Sequence, residues 1–176
     1  PWRTLGTVRV DSGTLNVVLG SAAPGRWVVA DAVRVAPAAG GEARVLDNGD
    51  PGFTEQARWL RHDEGFGGDA RYLRGTKRRE SEATATWTLT DVGPGVYELF
   101  VTWPAGVSRM PVTYTVFTGD REKGTVRINQ ARQPADLLAR DTLWASLGEF
   151  LVETAGSVRV VLSNVGRKAN VMADAV

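Results

Sequence analysis

Ala83 to Leu89 places Ala83, Ala85, Trp87 and Leu89 on one parity and Thr84, Thr86 and Thr88 on the other. Side chains of a strand point alternately to opposite faces, so this period of two predicts a half-buried strand of an antiparallel sheet. Val112 to Thr118 alternates in the same way, with Val112, Tyr114 and Val116 against Thr113, Thr115 and Phe117. Gly95 to Trp103 is the most continuously apolar stretch and predicts a central strand ended by Pro104. Shorter strands are predicted at Arg44 to Leu46, at Arg71 to Arg74, and at Thr125 to Ile128 after a charged turn over Gly119 to Gly124. Ala135 to Ala139, after Pro134, reads as a turn or two of helix with Asp136 near its start. No long helical period occurs, and short strands with turn-rich connections predict an all-β, antiparallel two-sheet β-sandwich.

The pattern also repeats. Gly13 to Val33 aligns without a gap on Gly156 to Val176, at an offset of 143 residues, with 9 of 21 positions identical. Trp2, Leu5 and Gly6 answer to Trp144, Leu147 and Gly148 at an offset of 142. That period is the size of a domain and too long for a solenoid. The expected organisation is a partial copy at 1–36, holding the last strands of a preceding unit, a linker at 37–42, and a nearly complete sandwich at 43–176. Strands are expected at Leu5 to Val10, Leu15 to Leu19 and Trp27 to Val35. Their counterparts are Leu143 to Phe150, Val158 to Leu162 and Asn170 to Val176. Three strands cannot cover their own apolar face. The expectation is therefore that residues 1–35 self-associate by strand exchange or dock on this domain, and that removing 1–40 leaves a folded monomer.

Composition removes several classes of function. The absence of cysteine excludes thiol chemistry, disulfides and cysteine-ligated zinc. A formal charge of +1 carries no signal for nucleic acid, and the basic run Lys77-Arg78-Arg79 is answered by Glu80 and Glu82. No run of eighteen apolar residues is available for a membrane helix, so no membrane insertion is expected. His62 is the only histidine, and neither an HExxH nor a GxSxG motif accompanies it, so no catalytic residue is assigned.

Asp31 and its repeat equivalent Asp174 share a strand parity with apolar residues. They are read as structural carboxylates accepting backbone bonds where a strand meets a loop, with a calcium ligand as the alternative. Asp47-Asn48-Gly49-Asp50 is read as an Asx-turn loop; Asp47 and Asp50 are the only metal candidates, and the spacing is not that of an EF-hand. No cofactor is expected beyond such a structural calcium. Trp87 is read as core, Trp144 and Trp2 as structural, and Trp59 as either core or an exposed platform.

One further signal comes from DNGDPGFTE (47–55), Arg71-Tyr72, ATWTLTDVGPGVYELFVTWPAG (85–106), PVTYTVFTGD (111–120), INQ (128–130), WASLGEF (144–150) and VMADAV (171–176). This ordered string resembles the golvesin C-terminal-like domain, also described as the carbohydrate-binding-like domain of xanthan lyases. The resemblance implies a jelly-roll sandwich of the galactose-binding type. It implies a non-catalytic accessory module, tandemly repeated here, in a secreted or surface-attached bacterial protein. Its partner would be a polysaccharide or cell-surface glycan. Candidate ligand-binding residues are Trp59, Arg71, Tyr72, Trp103, Arg109 and Asp50, with Trp103 expected to project from the sandwich rim. The alternative is a spacer, adhesion or self-association module with no small-molecule ligand. The GFGG stretch (65–68) and the GTKRRES loop (75–81) depart from the family pattern, which puts any ligand surface near them in doubt.

Overall fold

The computed structural model describes residues 16–21, 33–37, 43–74, 83–106, 111–164 and 171–176. In chain order its strands are β1 (Asn16–Ser21), β2 (Val33–Pro37), β3 (Arg44–Leu46), β4 (Phe53–Gln56), β5 (Leu60–His62), β6 (Ala70–Leu73) and β7 (Ala83–Val92). They continue with β8 (Gly95–Val101), β9 (Pro111–Thr118), β10 (Arg121–Asn129), β11 (Leu137–Ala139), β12 (Thr142–Val152), β13 (Gly156–Asn164) and β14 (Val171–Ala173). A short 3-10 turn at Phe66–Gly68 is the only helical element among the described residues. The protein is thus all-β. The three sheets run β10-β9-β1-β13-β7-β4, in which β13 is also registered to β9 and β1 to β7, then β11-β12-β8-β2-β3 and β14-β6-β5. Pairing is antiparallel except between β1 and β13, which is parallel.

The alternation of the sequence becomes burial. Ala83, Ala85, Trp87 and Leu89 of β7 are buried, while Thr84, Thr86 and Thr88 are half-buried. Val112, Tyr114 and Val116 of β9 are buried, as are Val158, Val160 and Leu162 of β13. These residues share one core with Leu99 and Val101 of β8 and with Ala145, Leu147, Phe150 and Val152 of β12, so the two larger sheets enclose the same apolar interior. Each fully buried Val, Leu or aromatic side chain contributes about 1.5–3 kcal/mol relative to exposure. β12 is buried at five consecutive positions, Trp144 to Gly148, against the period of two. A bulge explains it: Ser146 pairs with Phe100 and Gly148 with Leu99, so Leu147 is the extra residue that locally twists the strand. Gly148 has φ 114°, which suits glycine.

Two sequence expectations are corrected. Ala135 to Ala139 is not helical; Leu137–Ala139 is β11, paired with Trp144, Leu143 and Thr142. Arg140 and Asp141 both have positive φ, 50° and 56°, the signature of a two-residue type I′ hairpin turn, whose twist matches that of the strands it joins. Asp136 does not sit in a helical first turn; its carboxylate accepts the Ser146 N–H at 3.1 Å. Nor does the Gly119–Gly124 stretch form one long turn: β10 already begins at Arg121 and accommodates the charged residues through a bulge between Glu122 and Gly124.

The last six residues join all three sheets. Val171 to Ala173 pair with Leu73 to Arg71 of β6. The carbonyl of Asp174 accepts the Trp87 indole N–H from β7 at 3.3 Å. The Ala175 carbonyl accepts the Thr102 N–H at 3.5 Å, and Val176 exchanges two backbone bonds with Leu46, at 2.6 and 2.7 Å. The Asp174 carboxylate is fully buried and accepts the Phe66 N–H with both oxygens, at 3.1 and 3.0 Å. Gly65 makes this approach possible: φ is +148°, and a Cβ there would meet the Asp69 carbonyl at 2.5 Å and Asp174 Oδ2 at 2.6 Å.

Asp174→Ala leaves the Phe66 N–H without its acceptor, and the expected loss is about 2 kcal/mol of stability, a fall in Tm of roughly 4–8 °C. Asp174→Asn, which keeps one acceptor oxygen, should lose less. Urea unfolding curves for the two variants check this, and an unchanged midpoint for Asp174→Ala would refute the role.

Candidate functional site

β8 ends at Val101, and the chain leaves it through Thr102, Trp103 and Pro104 before turning at Ala105-Gly106. The Thr102 hydroxyl donates to the Leu143 carbonyl at 2.7 Å, which ties this exit to the first residues of β12. The Trp103 indole donates to the Arg132 carbonyl at 3.0 Å, which ties it to the segment that follows β10. Between these anchors lies an open cleft of about 330 Å³. Thr102 to Ala105 form one wall, and Gln133, Pro134 and the hairpin residues Asp141 to Leu143 form the other. Glu64 and Gly65 also line it.

The chemistry of the cleft is mixed. Glu64 and Asp141 bring two exposed carboxylates, Gln133 an exposed amide, and Thr142 a hydroxyl. Buried Trp103, Pro104 and Pro134 and half-buried Leu143 supply its apolar lining. Carboxylates accept hydrogen bonds, and an amide both accepts and donates. The cleft can therefore hold a neutral, hydroxyl-rich molecule with apolar carbon faces. The I′ turn fixes the backbone that carries Asp141, and Thr142 donates back to the Arg140 carbonyl at 3.3 Å, which braces the same turn.

The residues singled out in the sequence are dispersed. Trp59 is 6% exposed, lies in the core, and spends its N–H on the Gln56 carbonyl at 2.9 Å, so it is not a platform. Trp103 is 4% exposed; it borders the cleft but does not project from a rim, because its ring belongs to the apolar interior. Arg71 and Tyr72 lie on β6. Arg71 Nε is 3.8 Å from Glu55 Oε2, and Tyr72 packs on the core with its ring edge-on to His62, 6.4 Å between centroids. Asp50 is exposed, and its carboxylate caps its own turn by accepting the Asp47 N–H at 2.9 Å. Trp87 is fully buried; Trp144 is 1% exposed and donates to the Ala139 carbonyl at 3.1 Å. Arg109, Asp31 and Trp2 lie outside the described residues. Of the five ligand candidates among the described residues, only Trp103 lines the cleft.

Glu64, Gln133, Asp141 and Thr142 were missed. Glu64 stands beside His62, which drew attention as possible chemistry; His62 Nε2 instead lies 3.7 Å from Glu64 Oε2 and packs on Tyr72. A signal for Asp141 did exist. Arg140-Asp141 separates two short apolar segments by two residues, the spacing of a tight hairpin, and aspartate tolerates positive φ.

A second polar cluster is buried and structural. The surroundings of Asn48, 3% exposed, fix which side of its amide is nitrogen: that atom donates to the Asp69 carbonyl at 3.0 Å, Asp47 Oδ1 at 3.2 Å and the Asp174 carbonyl at 3.3 Å. The Asp47 carboxylate accepts the Asn48 N–H at 2.7 Å. Burial pushes the Asp47 carboxyl up to about 6, and the negative charges of Asp50 and Asp69 push the same way. No group of three or more His, Cys, Asp or Glu side chains is placed to hold a metal ion among the described residues.

Comparison with known families places these observations. Residues 44–176 match the Golvesin C-terminal domain, and the chain belongs to that family. This is a non-catalytic accessory domain. No curated protein and no solved structure matches the chain.

The folded state binds a proton at Asp47 more tightly than the unfolded chain, whose aspartates titrate near 3.8. Between about pH 4 and pH 6 the folded protein holds more protons, so stability falls as pH rises through that window and is flat above it. Asp47→Asn should flatten the slope and stabilise the protein at pH 7 by roughly 1 kcal/mol, after allowance for solvent screening of this partly exposed group. Denaturant titrations across pH 4–7 for both proteins measure it; a slope unchanged by the substitution would refute the assignment.

Proposed function

We propose that this chain is an accessory module that binds carbohydrate in the cleft between Trp103 and Asp141. The reading includes a two-sheet sandwich of jelly-roll type, carried by a secreted or cell-surface bacterial protein. The observation that supports the function is the composition of the cleft: two exposed carboxylates and an exposed amide beside an apolar lining of Trp103, Pro104, Pro134 and Leu143. Sugar hydroxyls donate to carboxylates, and the C–H faces of a pyranose lie well on proline, leucine and indole surface. The shared interior of the two larger sheets supports the sandwich.

Trp103 provides the readout rather than the handle. Replacing it with alanine would open a core cavity at a cost of about 3–5 kcal/mol and would report on folding. Its fluorescence, however, should change when a glycan fills the adjacent cleft. Asp141→Asn keeps a residue that tolerates positive φ while removing the charge, and Glu64→Gln removes the charge of the other carboxylate. Each should weaken binding roughly tenfold, the value of one charge-assisted hydrogen bond. Titration of the protein with a panel of bacterial and plant polysaccharides checks this. Fluorescence and calorimetry that stay silent across the panel would refute the reading, and so would binding that neither substitution alters.

A further inference from the structure

Three strands are registered at one residue of β9. Tyr114 faces Val126 of β10, Leu19 of β1 and Leu162 of β13. A strand has two hydrogen-bonding edges, and β10 occupies one of them from Pro111 to Thr118. β1 and β13 therefore address the same remaining edge. They do so in the same register: Gly20 and Ser163 both face Thr113. β7, on the far side, agrees. Val17 faces Trp87, and β13 pairs with the same strand, Asn164 facing Ala83. β1 itself matches β13 in parallel, from Asn16–Arg159 to Ser21–Asn164, at the 143-residue offset of the sequence repeat. A sheet holding the two side by side would part β9 from β13, yet those strands are registered over six residue pairs, Val158 to Ser163.

The end of the repeat behaves alike. Val33 faces Leu46, the residue that exchanges two backbone bonds with Val176, its equivalent. The pairing of Val35 with Leu99 continues the register that Ala175 makes with Thr102.

We infer that residues 16–21 and 159–164 are two occupants of one sheet slot, and that a molecule shares the surplus strand with a second copy of the chain by strand exchange. The slot cannot discriminate at its centre, because Val17-Val18-Leu19 and Val160-Val161-Leu162 are identical. In β13 the core-facing pair, Val160 and Leu162, is fully buried. Whichever strand is displaced keeps that apolar alternation and two open hydrogen-bonding edges, which is the liability that drives edge pairing. The slot that matches its side chains and register is the equivalent slot of another copy, whose own β13 can be displaced in turn. Exchange of an equivalent element between protomers is a low-cost route to assembly. The inference is independent of carbohydrate binding.

The chain contains no cysteine, so two introduced thiols report without interference. Gly20→Cys in a chain with one affinity tag and Thr113→Cys in a chain with another should, when co-expressed and oxidised, form a disulfide-linked pair of twice the 19.0 kDa chain mass. Thr113 is half-buried and tolerates the change, and circular dichroism like that of the parent confirms the fold. Thr113→Cys with Ser163→Cys in one chain calibrates the yield for the occupant of the same molecule, and light scattering reads the assembly state directly. A chain carrying both Gly20→Cys and Thr113→Cys tests the intramolecular route. Inter-chain linkage at a yield comparable to the benchmark, together with a mass above the monomer, supports strand exchange. Absence of the inter-chain product overturns it, and so does a doubly substituted chain that closes its disulfide only within itself at monomer mass.

Discussion

A buried aspartate is an unusual place to anchor an all-β protein, since burying a polar group costs free energy unless its bonds are made. Asp174 makes them. Its carboxylate holds the Phe66 N–H, and its carbonyl takes the Trp87 indole and the Asn48 amide. These partners come from three places: the 3-10 turn, the six-stranded sheet, and the turn before β4. The residues around it reach the other sheets, through Ala173 to β6, Ala175 to the exit of β8, and Val176 to β3. Hydrophobic burial accounts for the bulk of the stability, but it is non-directional. The bonds at Asp174 are directional and set how the sheets meet.

That constraint reaches the cleft through two short links. Ala175 accepts from Thr102, and Thr102 in turn donates its hydroxyl to Leu143. The first wall of the cleft and the hairpin wall are thereby held to the same strand end. Gly65, which lets the Asp174 carboxylate approach, also lines the cleft beside Glu64. The cleft is therefore framed by backbone that the core interaction already fixes, and its two carboxylates hang from anchored segments. Pre-organisation of this kind lowers the entropy lost when a ligand binds.

How much of this could be read from the chain depends on the range of the interaction. The alternation in β7 and β9 is local, and it identified Trp87, Tyr114 and their neighbours as interior. The resemblance on 47–176 led to the family. Asp174 was partly legible because its parity put a carboxylate among apolar residues, a conflict that pointed to a buried acceptor or to a calcium ligand, and the structure shows the acceptor. The cleft was not legible, because Glu64, Thr102, Gln133 and Asp141 are brought together by sheet pairing over scores of residues. Trp59 and Trp103 misled for a related reason. A tryptophan near a strand end can face either way, and what decides is a carbonyl within reach of the indole, Gln56 for one and Arg132 for the other. The Ala135–Ala139 error was one of weighting, for helix-favouring residues were read locally while the pairing of Leu137 with Trp144 governed the outcome.

The burial of those tryptophans bears on how the proposed recognition would work. Without a projecting ring, the cleft grips through carboxylates, an amide and small apolar surfaces, in an open depression flushed by water. Each hydrogen bond there replaces one to solvent, so the net gain per contact is modest. A single module of this design binds weakly. Strength would have to come from several modules acting on one polymer, where the second binding event proceeds at the effective concentration set by the linkage. Residues 13–33 repeat the sequence of 156–176, and β1 and β2 address the β7, β8 and β9 positions that β13 and the last residues address. Repetition and exchange of those strands would both place cleft beside cleft. Weak recognition by one module and assembly of modules would then be two consequences of the same repeated strands.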